Sequence, residues 1–132
     1  MSSRNFVLDT NAVIFLTARG SVVPQILEDE LDRSELHISA ATEIELFGNP
    51  VLQPDEEEKL RAFISGCMQV VNITDQIKNE TIGLRRTTNL KLPDCIIAAT
   101  VIVLNAVLLT ADPELLRLNR PGYKVKNISK YK

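Results

Sequence analysis

Residues 5–11 read N-F-V-L-D-T-N: three apolar residues, Phe6, Val7 and Leu8, stopped by Asp9, Thr10 and Asn11. So short a run, closed by turn- and cap-forming residues, reads as a β-strand and then a capped turn. Thr10 or Asn11 is suited to cap a helix through Ala18, which Gly20 closes. The same grammar recurs along the chain. Residues 36–40, 68–73 and 106–110 are further short apolar strands, the last again ending in a polar turn with Asp112, and residues 123–128 form a fifth. Between them lie helical stretches. Residues 24–32 show helical spacing (Ile26, Leu27, Leu31), Thr42 opens a helix that ends at Gly48-Asn49-Pro50, and Pro54 begins another. Thr74 caps a helix to Arg86, Pro93 starts a long apolar helix, D-C-I-I-A-A-T-V-I-V-L-N, and residues 113–118 form a short one. Short apolar strands alternating with helices imply an α/β fold, a parallel sheet covered on both faces. Ligands of such sheets bind beyond the carboxyl ends of the strands, where Asp9 and Asp112 both fall.

Composition narrows the chemistry. At 132 residues the chain has the size of one compact domain, and no linker, repeat or low-complexity segment divides residues 1–132. With 45% hydrophobic and 24% charged residues it has the ordinary soluble mix. No apolar stretch approaches the roughly 18–20 residues that span a bilayer, and the N-terminal run is too short for a signal peptide. Cys67 and Cys95 lie far apart without C-x-x-C spacing, so they read as reduced, buried thiols of a cytoplasmic protein. His37 is the one histidine and there is no tryptophan, so a histidine triad would have to use His37 and a two-histidine zinc site lacks its second ligand. The working groups of an enzyme here are carboxylates, hydroxyls and a metal. Charge is uneven: residues 28–58 hold eleven acids and one base, and residues 85–132 nine bases and three acids. A basic last third suits a phosphate backbone, or is a solvated tail on a sheet edge.

Four acids stand at strand-to-helix junctions, and each has a bland reading beside the chemical one. Asp9 and Asp112 are suited to turns and caps. Glu45 follows Thr42 in the T-x-x-E spacing of a capping box, which also puts it in a first turn near the strand-end crevice; Glu43 is its competitor. Asp94, beside Pro93, is favoured by the helix dipole, yet it opens a helix apolar on all sides and so buried, where a charge needs a partner. The run Asp55–Glu58 is explained by the dipole alone. Converging carboxylates repel one another, and a cation offsets that cost. Hard oxygen ligands suit Mg²⁺ or Mn²⁺, and such a site can activate water against a phosphodiester.

In this order L-D-T-N, T-x-x-E-L, P-D-x-x-I-A-A-T and L-L-T-x-D resemble the PIN domain, most of all the VapC-type toxins of toxin–antitoxin pairs. The likeness covers Phe6 to about Leu116. It implies a three-layer α/β/α fold with a short central parallel sheet, and an acid quartet that binds Mg²⁺ or Mn²⁺ and cleaves RNA. Matched by motif, the catalytic acids are Asp9, Glu45, Asp94 and Asp112, with Asp9, Asp94 and Asp112 as metal ligands. Glu45 is chosen over Glu43 because the family's glutamate precedes leucine. Thr10, Asn11 and Thr110 match supporting polar positions, and Thr110 can orient a carboxylate or phosphate. Lys91 is a contact for RNA phosphate or a solvated lysine. Glu114 falls near an extra acid of some members; Cys95 and Asn119 receive no role.

The resemblance thus implies a metal-dependent endoribonuclease toxin in the cytoplasm, a small antitoxin across its active-site groove, and a homodimer. Phe15, Ile26, Leu27, Phe47 and Phe63 line that groove or belong to the core. Two alternatives stay open: an RNA-processing nuclease without an antitoxin, and a non-catalytic α/β binding module whose acids only cap helices. A phosphatase with Asp9 as phosphoacceptor would want a second acid two residues on, where Asn11 stands.

Overall fold

The computed structural model describes residues 4–18 and 34–131. Five strands, β1 (Arg4–Leu8), β2 (Ser34–Ser39), β3 (Met68–Val71), β4 (Val107–Thr110) and β5 (Lys124–Asn127), form one sheet in the order β3-β2-β1-β4-β5. All neighbours are parallel, with Val7 opposite His37 on one side and Leu108 on the other. β1 is therefore central and its carboxyl end lies beside that of β4.

Alternation along the strands sorts the core into two layers. Phe6 and Leu8 of β1 face α1 (Thr10–Ala18), α2 (Ala40–Phe47) and α3 (Pro54–Cys67), packing with Ala12, Val13, Leu16, Leu46 and Ile64. Val7 faces the other way, onto α4 (Asp75–Thr87) and α5 (Leu92–Leu104), with Ile77, Leu84, Ile97, Ala98 and Val101. A five-residue helix, α6 (Pro113–Arg117), joins this second layer through Leu115. The fold is a three-layer α/β/α arrangement around a parallel sheet.

The expected elements are present among the described residues with small shifts at their ends; the helix expected over residues 24–32 lies outside them. Two expectations are corrected. α1 is not capped by Thr10 or Asn11: Asp9 Oδ1 accepts from Ala12 N at 2.8 Å, so the acid itself is the cap. Nor is there a capping box between Thr42 and Glu45. α2 starts at Ala40, two residues early, because Ser39 still pairs with Val71 of β3 and then caps the helix, its Oγ accepting from Thr42 N at 3.2 Å. Glu45 thus falls in the second turn of α2 and is free of the cap. α5 is wrapped by core from Cys95 to Val101 and ends at Asn105 in the left-handed region, φ 54°.

Candidate active site

The carboxyl ends of β1 and β4 present their polar residues side by side. Asp9 leaves β1 only 4% exposed, and both carboxylate oxygens are engaged. Oδ1 caps α1, and Oδ2 accepts from the hydroxyl of Thr110, the last residue of β4. The same Thr110 oxygen accepts from Asp112 N at 3.0 Å. Asp112 in turn caps α6, its Oδ1 accepting from Glu114 N at 2.8 Å. One threonine therefore couples the two strand-end acids.

Glu45 reaches the site from α2. Thr10 Oγ1 donates to Glu45 Oε1 at 2.8 Å, which fixes the carboxylate against the start of α1. Asp94 arrives from the first turn of α5, half-buried, and no described residue donates a hydrogen bond to it. Burial, and then the charges of Asp112, Glu45, Asp9 and Glu114, push its carboxyl up to about 6. Burial also raises Asp9, against its bonds from Thr110 and Ala12, and the charges of Asp112 and Glu45 add to the rise. The largest charges acting on these two acids, among the described residues, are other carboxylates. Glu43 is not among them.

The remaining expected residues take lesser places. Asn11 is exposed beside Thr10, and Lys91 is exposed at the N-cap of α5, three residues before Asp94. Cys95 lies in the core as expected, its Sγ 3.5 Å from Leu90 O, whereas Cys67, expected to be buried, is exposed at the end of α3. Asn119 lines a cavity of about 440 Å³ with Glu80, Thr87 and Arg120. His37 is buried in β2 with Glu35 3.7 Å away, and burial pushes its imidazole down. Sequence reading missed Tyr123, whose phenol is raised by burial and then by Asp9, Asp112 and Asp94; only its place beneath those acids marks it out.

Among the described residues no three His, Cys, Asp or Glu side chains stand close enough to enclose an ion by themselves. The set is instead open and all oxygen. That fits Mg²⁺ or Mn²⁺, since Mg²⁺ keeps several of its waters and takes one or two carboxylates.

Thr10 and Glu45 also form one end of a groove of about 570 Å³ between α1, α2 and α3. Its apolar lining includes Ile14, Val51, Leu52 and Leu60, with Ile14 and Val51 largely exposed. Phe15, Phe47 and Phe63 pack instead against the core of this layer, and the Arg61 guanidinium lies 4.3 Å from the centre of the Phe47 ring. Ile26 and Leu27 lie outside the described residues. No described helix is long and apolar enough to cross a membrane.

A family model described as PIN domain matches residues 6–121. Among solved structures the chain is similar to one from Rickettsia felis, VapBC2 bound to a DNA fragment from their promoter, at 21% identity and TM-score 0.74, covering 93% of this chain and 98% of that one. It is also similar to a toxin–antitoxin complex from Klebsiella pneumoniae (25% identity, TM-score 0.69, 92% and 96% covered). A third likeness is to VapBC-1 from nontypeable Haemophilus influenzae (23%, 0.73, 95% and 98%). No curated protein matches the chain.

Proposed function

The chain belongs to the PIN-domain family, and we propose that it is a metal-dependent endoribonuclease that acts as the toxin of a toxin–antitoxin pair. Asp94 carries this reading. A half-buried carboxylate with no hydrogen-bond donor among the described residues, held near a pKa of 6 among four further acids, is costly unless a cation faces it. The competing reading, a binding module whose acids only cap helices, accounts for Asp9 and Asp112, which do cap. It leaves Asp94 and Glu45 unexplained.

In the proposed site Asp9, Asp94 and Asp112 hold Mg²⁺ or Mn²⁺. The bound ion supplies Lewis acidity toward phosphoryl oxygens and acidifies water. The chain's residues do the rest. Thr110 keeps one Asp9 oxygen turned toward β4, so that the strand-end acids present a fixed pair of edges. Thr10 steadies Glu45, which stands where it can take a proton from an attacking water. Lys91, at the open rim, contacts a phosphate of the RNA.

The toxin reading is supported by the fold's likeness to toxin–antitoxin complexes and by the groove that shares Thr10 and Glu45 with the acids. An antitoxin segment lying there would cover Ile14 and Val51 and close the site. The resemblance further implies a homodimer in the cytoplasm; a light-scattering mass near 14.7 kDa, that of one chain, contradicts the dimer.

The test is sequencing of RNA ends after brief expression of the wild type beside Asp94→Asn. New ends with the wild type alone, growth arrest relieved by a neighbouring small protein, and cleavage in vitro that EDTA stops are the expected results. Undiminished cleavage by Asp94→Asn, or in excess EDTA, contradicts the assignment.

A further inference from the structure

The segment between α6 and β5 matches none of the sequence motifs, yet it is tied down on both sides. Arg120 lies across α4: its Nε meets Glu80 Oε2 at 3.1 Å and its Nη1 donates to Thr87 Oγ1 at 2.9 Å. Gly83 makes room for it, since a Cβ there would stand 3.0 Å from Nη2. Pro121 and Gly122 then reverse the chain, with Gly122 at φ +82° and Tyr123 N donating to Arg120 O at 3.1 Å. Proline followed by a glycine of positive φ is what a type II turn requires. The reversal sends the Tyr123 ring against the core of the α4–α5 layer, and its hydroxyl donates to Leu115 O at 2.7 Å.

Leu115 is the middle residue of α6, the helix that Asp112 caps. Five residues are far too few for a helix to hold itself in place. Its own bonds, Glu114 N to Asp112 Oδ1 and Leu116 N to Asp112 O, shape the turn but do not locate it relative to Asp9 and Asp94. The Leu115 side chain and the Tyr123 hydroxyl do. Tyr123 N is anchored in turn through Arg120 to α4, which packs on α5, the helix that carries Asp94.

We propose that Tyr123 is a positioning residue for the acid site: its hydroxyl, bonded to the Leu115 carbonyl, sets where α6 sits and so where Asp112 presents its carboxylate. The inference rests on the metal-site reading above. Because burial and the three nearby acids raise the phenol beyond the ordinary tyrosine range, the hydroxyl stays a donor at every pH at which the protein is folded and active.

Tyr123→Phe tests it, since phenylalanine keeps the ring in the core and removes one hydroxyl. Direct Mn²⁺ binding to the purified chain is followed by the loss of the free-ion electron paramagnetic resonance signal. Binding about tenfold weaker than wild type is expected, with cleavage at saturating Mn²⁺ changed less than about twofold. In an Asp112→Asn background the same substitution is expected to change Mn²⁺ binding little, because the acid it positions is already neutral. Wild-type affinity in Tyr123→Phe overturns the inference and leaves the metal-site reading standing. An equal loss in both backgrounds also overturns it, because Tyr123 then acts by another route. A wild type that takes up no Mn²⁺ overturns the metal-site reading and this inference together.

Discussion

Asp9 and Asp94 are electrostatic neighbours, yet the fold treats them in opposite ways. Asp9 is buried with a donor on each oxygen, a helix N-terminus on one and Thr110 on the other. Asp94 sits at the mouth of an apolar helix with no described donor, and the largest charges on it are those of other carboxylates. The first acid is part of the scaffold as well as of the site. The second contributes nothing to the scaffold that is apparent in its contacts, and its charge is a cost that the proposed cation would offset. The difference separates what each residue does for stability from what it does for chemistry.

Substitution should expose that split. The largest effect expected is on cleavage: Asp94→Asn and Asp9→Asn each lower the rate of RNA hydrolysis at saturating Mn²⁺ by at least about a thousandfold. Stability should then part the two. Asp9→Ala removes the cap of α1 and the acceptor of a buried hydroxyl, a loss of about 2 kcal/mol, read as a fall of roughly 6–8 °C in melting temperature. Asp94→Asn should instead stabilise the metal-free protein at pH 7.5, by on the order of 3 °C. A drop on Asp94→Asn as large as that on Asp9→Ala erases the contrast.

The pH dependence sharpens it. The ordinary aspartate value is 3.8 and Asp94 in the fold stands at about 6. Below about 4 the group is neutral whether folded or not and costs nothing. Between about 4 and 6 the unfolded chain ionises while the folded state resists, so the penalty grows through that window and is complete above it. The gap in melting temperature between Asp94→Asn and wild type should therefore be widest near pH 7.5 and close by pH 4. His37, whose imidazole burial pushes down, cancels in the difference. The smallest effect expected is at Thr10. Thr10→Val frees Glu45 from its 2.8 Å hydrogen bond and should raise the Mn²⁺ needed for half-maximal cleavage about threefold, with stability changed by under about 0.5 kcal/mol.

Much of this was legible in the sequence because it is local. Phe6-Val7-Leu8 before Asp9 and Val107-Leu108-Leu109 before Thr110 are strands by composition, and the apolar run from Cys95 is a buried helix for the same reason. The errors came from non-local constraints. Ser39 and Thr42 are both good cap residues, and which one starts α2 is decided by pairing between Ser39 and Val71, thirty-two positions away. That choice frees Glu45, whose partner is Thr10 on another helix. Asp9 as cap was among the bland readings of that acid, but α1 itself was assigned to Thr10 or Asn11. The choice between groove and core for Phe15, Phe47 and Phe63 stays open in the sequence and falls to the core side, because only the packing of α3 on α1 decides which apolar side chains stay outside. Tyr123 had no signature at all, since its partner is a main-chain carbonyl.

The most direct measurement is a calorimetric titration of Mn²⁺ into the metal-free protein at pH 6, repeated in buffers of different ionisation enthalpy. With Asp94 half protonated at that pH, an ion bound by the acid cluster must displace part of a proton. Saturable binding whose heat varies with the buffer, and whose buffer dependence disappears in Asp94→Asn, is the predicted result. No binding at millimolar Mn²⁺, or equal binding and equal proton release in Asp94→Asn, contradicts a metal site built on these carboxylates.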